Sequence, residues 1–279
     1  MNKIRLTANR EAGFVYHMLS VARCGYDNAY GEKYRGDYPA EVLQALKKHE
    51  DLIKVSGGEH CGALYGLMVA MPAQDKGCAR DFYLDLIRQV DENEVPEWGL
   101  PYAPAAREIA AAMAICYDHY VADVWPLDLE EIQAYIAQTA PLFEQSDFTA
   151  RAEEAVGCVF PADEFYAVLV PSIQGGPEAI DISKDQDIFG MGRPPEDAFL
   201  FIAHEFIIYL LKRALESEDA FRRMDTWSLT EGLAEYYLRR ILGKTNGSFS
   251  GQQSWVEFYQ AQSGAVTAVE LYRRALAEK

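Results

Sequence analysis

Between Ala198 and Leu211 every residue is apolar or aromatic except an adjacent pair, His204 and Glu205. A helix that is apolar around its whole circumference is buried on most sides. An imidazole and a carboxylate in the middle of such a helix cost several kcal/mol, by order of magnitude, unless partners satisfy them. A second segment, Trp227–Leu242, reads WSLTEGLAEYYLRRIL and places Glu231 and Glu235 four residues apart, on one helical face. Like charges at that spacing repel by a few tenths of a kcal/mol, and a cation lying between the two helices reverses the sign. Each residue also has an ordinary reading. His204 and Glu205 can be held by hydrogen bonds to neighbouring helices, Ser228 with Glu231 can form a capping box, and Glu235 can pair with Arg239 one turn on. The coincidence of the acidic pair with His204 and Glu205, beginning 27 residues beyond His204, points instead to one shared site for a cation.

AHEFIIYLL followed by WSLTEGLAEYY resembles the active-site helices of the gluzincin zinc metallopeptidases. Their pattern is HExxH and, roughly 20–30 residues on, a second helix carrying NExxxE/D or close to it. The resemblance implies roles residue by residue. His204 matches the first zinc ligand, Glu205 the general base that activates the metal-bound water, Glu231 the third ligand, and Glu235 the acid that buttresses a ligand histidine. A strand over Phe165–Ile173 or Glu178–Ile182 matches the edge against which an extended peptide substrate is laid by backbone hydrogen bonds.

One ligand is missing. The second histidine belongs at position 208, where this chain has Ile208, and Thr230 replaces the asparagine often found before the ligand glutamate. Isoleucine cannot bind a metal, and two protein ligands leave a weak zinc site. The expectation is a metallopeptidase-like protein whose catalysis is impaired or lost and whose scaffold binds a peptide or protein partner. Two alternatives stay open. An active zinc hydrolase could recruit His119, in CYDHY, or His60 as the third ligand; or the two helices belong to an unrelated fold or to zinc-free chemistry. Without metal, Glu205, Glu231 and Glu235 favour the protonated form of His204, and an imidazolium then stands in for zinc. The reading requires His204 and Glu231 to face each other across a gap sized for a cation.

The elements that must position these residues read as mainly α with a small β-sheet (α+β). Zincin-like helices follow an edge-strand region and a helical N-terminal part, with residues 1–157 as a mainly helical region and 158–279 as the metallopeptidase-like region, or both as one continuous domain. Helices are expected over Glu11–Arg23, Ala40–Val55, Cys61–Ala70, Cys78–Glu92, Ala103–Ala122 and Leu129–Ala137, separated by Gly, Pro and Asn/Asp clusters. FYAVLVPSI, Phe165–Ile173, is a strand by composition, Glu178–Ile182 a shorter one, and Asp181–Gly192 a polar loop. Pro194-Pro195-Glu196-Asp197 opens the helix bearing His204, which runs to about Glu216. The second helix ends near Gly243, and a last one spans Ser254–Glu278 with a break at Gly264.

Composition excludes several classes. A net charge of −17 opposes a nucleic-acid or anionic-membrane surface, because phosphate binding needs clustered Lys and Arg. Five cysteines without a CxxC pair fit reduced thiols in a cytoplasmic protein better than a disulfide framework or a cysteine zinc site. The run around His204 falls short of the roughly 20 residues that span a bilayer, and the N-terminus has no apolar signal core. Asp181, Ser183, Asp185 and Asp187 alternate as in a calcium loop, but Gln186 and Gly192 stand where that loop needs Gly and Glu. Tyr236, Tyr237 and Tyr259 could each supply an oxyanion donor, yet they are three of 17 tyrosines, most of them packing residues. No P-loop, dinucleotide fingerprint or nucleophile elbow is present.

Overall fold

The structure is a computed structural model, and it describes residues 2–56, 60–74, 77–174, 179–181, 185–218, 226–244, 253–262 and 267–279. In chain order the elements are β1 (Ile4–Thr7), α1 (Arg10–Val21), α2 (Ala29–Tyr34), α3 (Ala40–Lys48), α4 (Glu50–Ile53), β2 (Val55–Ser56), β3 (His60–Cys61), α5 (Ala79–Asp91) and α6 (Ala103–His119). There follow α7 (Trp125–Ser146), α8 (Phe148–Val156), β4 (Phe165–Val170), β5 (Ala179–Asp181), β6 (Gln186–Gly190), α9 (Pro195–Ala214), α10 (Trp227–Leu242), α11 (Gln253–Ala261) and α12 (Ala268–Glu278). The fold is mainly α with a small β-sheet, as the sequence implies. The strands lie in the order β1-β4-β6-β5, and β2 pairs with β3 separately.

The chain forms two units that interleave along the sequence. The first unit is Met1–Leu6, Ile136–Ala167 and Pro194–Lys279; the second is Thr7–Tyr135 and Val168–Arg193.

In the first unit α9 forms because its ends are chemically marked. Pro195 sits in the first turn, Glu196 and Asp197 follow it, and Lys212 and Arg213 occupy the last turn, each charge complementing the helix dipole. From Ala198 to Leu211 every residue except Glu205 is buried. Phe206 packs on Phe148, Phe160 and Phe165, and Tyr209 lies 5.0 Å from the Phe165 ring. Helix α10 packs against α8, α9, α11 and α12, and ends where Gly243 takes a left-handed conformation, φ 67°. β1 lies beside β4, where the Phe165 N–H donates to the Lys3 carbonyl at 2.8 Å.

In the second unit α1 is buried from Glu11 onward and is capped by Asn9, whose side chain accepts from the Glu11 and Ala12 N–H groups. α5 packs antiparallel on α6, tied at its two ends by Arg80–Asp118 and Arg107–Asp91. A π-helical turn, Tyr120–Val124, joins α6 to α7. β5 and β6 pair antiparallel, with Ile180 opposite Ile188.

Several local expectations are corrected. The loop expected over Asp181–Gly192 contains β6, because Ile188 and Phe189 are buried there. Ala40–Val55 is two helices and a strand residue, broken at His49. Cys61–Ala70 holds a strand end and a five-residue π turn instead of an α-helix. α2 and α8 were not expected at all. The last helix is two, and Gly264 lies outside the described residues.

Candidate functional site

The polar centre of the first unit is built from α9 and α10. His204 is 0% exposed, as is Glu235, and Glu231 is buried beside them. Nε2 of His204 lies 3.0 Å from a carboxylate oxygen of Glu231. Nδ1 of the same ring lies 3.7 Å from Glu235. The other oxygen of Glu235 accepts from Nε of Arg239 at 3.1 Å, one turn further along α10. One imidazole therefore turns its two nitrogens towards two carboxylates that share a helical face, and an arginine closes the far side.

Burial, the largest single influence on His204, pulls its imidazolium down. The hydrogen bond to Glu231 and the nearby carboxylate of Glu235, with the negative charge of Glu205, outweigh burial and raise the value to about 9. Glu205 itself is half-buried on the turn that carries His204.

Local packing fixes α10, which carries both carboxylates, against α11. Gly232, next to Glu231, lies so close to α11 that a Cβ there would meet Trp255 at 2.5 Å. Only glycine lets the two helices approach at this level. The Tyr259 hydroxyl donates to the Leu229 carbonyl at 3.1 Å, which anchors the start of α10 to α11. Tyr237 and Tyr259 are buried packing residues, and the Tyr236 ring meets Tyr237 edge-on at 5.1 Å and Tyr259 at a tilt at 6.1 Å.

The structure thus brings His204, Glu231 and Glu235 together, as the sequence reading requires, but not across a gap. His204 and Glu231 are in direct hydrogen-bonding contact. The capping-box reading of Ser228 and Glu231 does not hold, since the residue before α10 is Thr226 and no side chain caps it. The Glu235–Arg239 ion pair is present and is buried on the glutamate side. Ile208 is 1% exposed, one turn along α9 from His204.

The donors present do not fit zinc. Among the described residues no group of three or more His, Cys, Asp or Glu side chains is arranged to hold a metal ion. Where the resemblance implies a second histidine ligand stands the buried hydrocarbon of Ile208, and the imidazole of His204 faces two carboxylates. His119, a candidate substitute, belongs to the second unit, where its Nδ1 pairs with Asp123 at 2.8 Å. The side chain of His60 and residues 57–59 lie outside the described residues, as do residues 182–184 of the calcium-like stretch. No helix among the described residues is long and apolar enough to cross a membrane.

Sequence reasoning missed a second polar centre, in the second unit. His17 is 0% exposed. Its Nδ1 lies 2.8 Å from the Tyr30 hydroxyl and its Nε2 lies 2.7 Å from the Tyr38 hydroxyl. Tyr30 in turn donates to Asp128 at 2.7 Å. The available signal was Tyr16-His17 within an otherwise apolar run, but nothing local linked it to Tyr30, Tyr38 or Asp128.

No protein family, curated protein or solved structure matches this chain.

Proposed function

We propose that α9 and α10 are a gluzincin-type metallopeptidase scaffold that has lost its second histidine ligand, no longer hydrolyses peptides, and serves to bind a peptide or protein partner. The observation that carries this reading is the single imidazole whose two nitrogens face two carboxylates spaced one helical turn apart. In a working gluzincin the first of those carboxylates shares the metal with the imidazole, and the second steadies the ring. Here the first contact is closed directly, and the hydrocarbon of Ile208 occupies the place from which a further imidazole would complete the donor set. The protein's task is then recognition, with Glu205 retained as a half-buried acid beside the pair. The same reading keeps the chain in the reducing cytoplasm, consistent with five free cysteines.

Metal content tests it. Protein purified without added metal is expected to carry far less than one equivalent of zinc and to show no chelator-sensitive peptide cleavage. Stoichiometric zinc with such cleavage overturns the non-catalytic reading. Ile208→His places a second imidazole at i, i+4 from His204, on the same helical face. That variant is expected to take up about one equivalent of zinc, as a three-ligand site does. If it folds and its zinc affinity does not rise, the two-helix reading falls.

A further inference from the structure

The second polar centre is a continuous chain of hydrogen-bonding groups whose direction follows the tautomer of His17. It runs from Tyr38 through His17 and Tyr30 to Asp128, with contacts of 2.7, 2.8 and 2.7 Å. Tyr120, from the π turn, adds a longer contact to the same Asp128 oxygen at 3.3 Å. The four residues come from α1, α2, the stretch before α3, and α7. Packing holds them tightly. Gly13 leaves room for Tyr120, because a Cβ on Gly13 would meet that hydroxyl at 2.4 Å. The rings of Tyr30, Tyr34, Tyr38 and Tyr120 surround His17 with centroids 5.0–5.5 Å away.

A hydroxyl and a neutral imidazole each have one proton to donate along the chain. When Asp128 is ionised it can only accept. Tyr30 must then donate to Asp128 and accept from Nδ1–H of His17, which leaves Nε2 to accept from Tyr38. When Asp128 is protonated all three links can reverse. Asp128 donates to Tyr30, Tyr30 donates to Nδ1, and Nε2–H donates to Tyr38.

We propose that Tyr38, His17, Tyr30 and Asp128 form a proton relay that charges and discharges Asp128 from the Tyr38 end and swaps the tautomer of His17 each time. The step balances. The Tyr30 proton moves to Asp128, the Nδ1 proton moves to Tyr30, the Tyr38 proton moves to Nε2, and Tyr38 takes one proton from solvent. No bond between heavy atoms changes, and the cluster gains one positive charge. Tyr38 is the solvent end because it is the most exposed member of the chain, at 7%, against 6% for Tyr30, 2% for Asp128 and 0% for His17.

The surrounding charges suit this role. Asp128 is raised to about 6, first by burial; the Tyr30 and Tyr120 hydroxyls pull it back, Glu131 on its own helix pushes it up, and Lys33 of α2 pulls it down. Burial lowers His17 to about 3, with a smaller push from His119, so the ring stays neutral while Asp128 titrates. Tyr38 also feels Asp37 and Cys116, and burial raises all three phenols of the cluster above their ordinary value.

The test is the tautomer of His17, read from the two ring ¹⁵N resonances of the full chain at about pH 8 and about pH 4.5, either side of the carboxyl's titration. The Nδ1–H form is expected to dominate at the higher pH and the Nε2–H form at the lower, a change of at least tenfold in their ratio, with no imidazolium at either. In Tyr30→Phe, which cuts the chain between His17 and Asp128, the ratio is expected to stay constant. One tautomer throughout in the wild type, or an imidazolium at the lower pH, overturns the relay. So does a swap that persists in a folded Tyr30→Phe variant. If that variant does not fold, the wild-type titration decides alone.

Discussion

His204 and His17 are both fully buried, each in the middle of a helix, and their ionisation runs in opposite directions. Burial alone lowers an imidazole, because it penalises the charged form, and for His17 nothing reverses that: its neighbours are neutral phenols, and it ends at about 3. For His204 the same penalty is overcome by carboxylates on both ring nitrogens, and it ends at about 9. Depth of burial therefore does not determine what a histidine does. Whether the groups nearest the ring nitrogens carry charge decides it, and this makes one site an ion cluster and the other a hydrogen-bond chain around a neutral imidazole.

The comparison breaks most easily at Glu235. Glu235→Leu strips one carboxylate from His204 and leaves Arg239 without its buried acid. Removing one member of a buried ionic cluster costs about 3–5 kcal/mol, so urea unfolding should show a loss of that size. A loss below about 1 kcal/mol would mean that His204 does not depend on charge.

The pH dependence of stability sharpens the other half. The folded value of His17 lies below its reference of 6.5, so its contribution is complete above that pH and is lost as pH falls towards 3. Asp128, raised from 3.8 to about 6, contributes fully below 3.8 and loses its contribution as pH rises through 6. Across the shared window the two oppose each other and nearly cancel. His17→Phe should leave stability falling as pH rises across that window, and Asp128→Asn should leave it rising, each by on the order of 1 kcal/mol per pH unit. Slopes of the same sign in both variants would contradict the opposed shifts of His17 and Asp128. The smallest effect is expected from Tyr38→Phe, which removes one neutral hydrogen bond at the end of the chain. It should cost about 0.5–1.5 kcal/mol in the same unfolding measurement, well under the loss at Glu235.

The first site was largely legible in the sequence. Apolar surroundings marked His204 as buried, and four-residue spacing put Glu231 and Glu235 on one face; both follow from helical periodicity, which is local. The helix ends were legible for the same reason, from Pro195 with its acids and from Gly243. β6 was hidden because Gln186 and Asp187 make its start look like a loop, although Ile188 and Phe189 face the core. The second site was hidden altogether, since its members stand at positions 17, 30, 38 and 128.

What the sequence determined alone is therefore the longer helices around the first site, which residues share a face on each, and the isoleucine at position 208 one turn beyond His204. What only the tertiary structure decided is partnership: that Nε2 of His204 meets Glu231 directly, that Nδ1 turns to Glu235, and that Tyr38, His17, Tyr30 and Asp128 form one continuous chain. The reason is physical. Backbone periodicity fixes directions within about two turns, whereas contacts between separate elements are set by how side chains and glycines such as Gly13 and Gly232 let those elements pack.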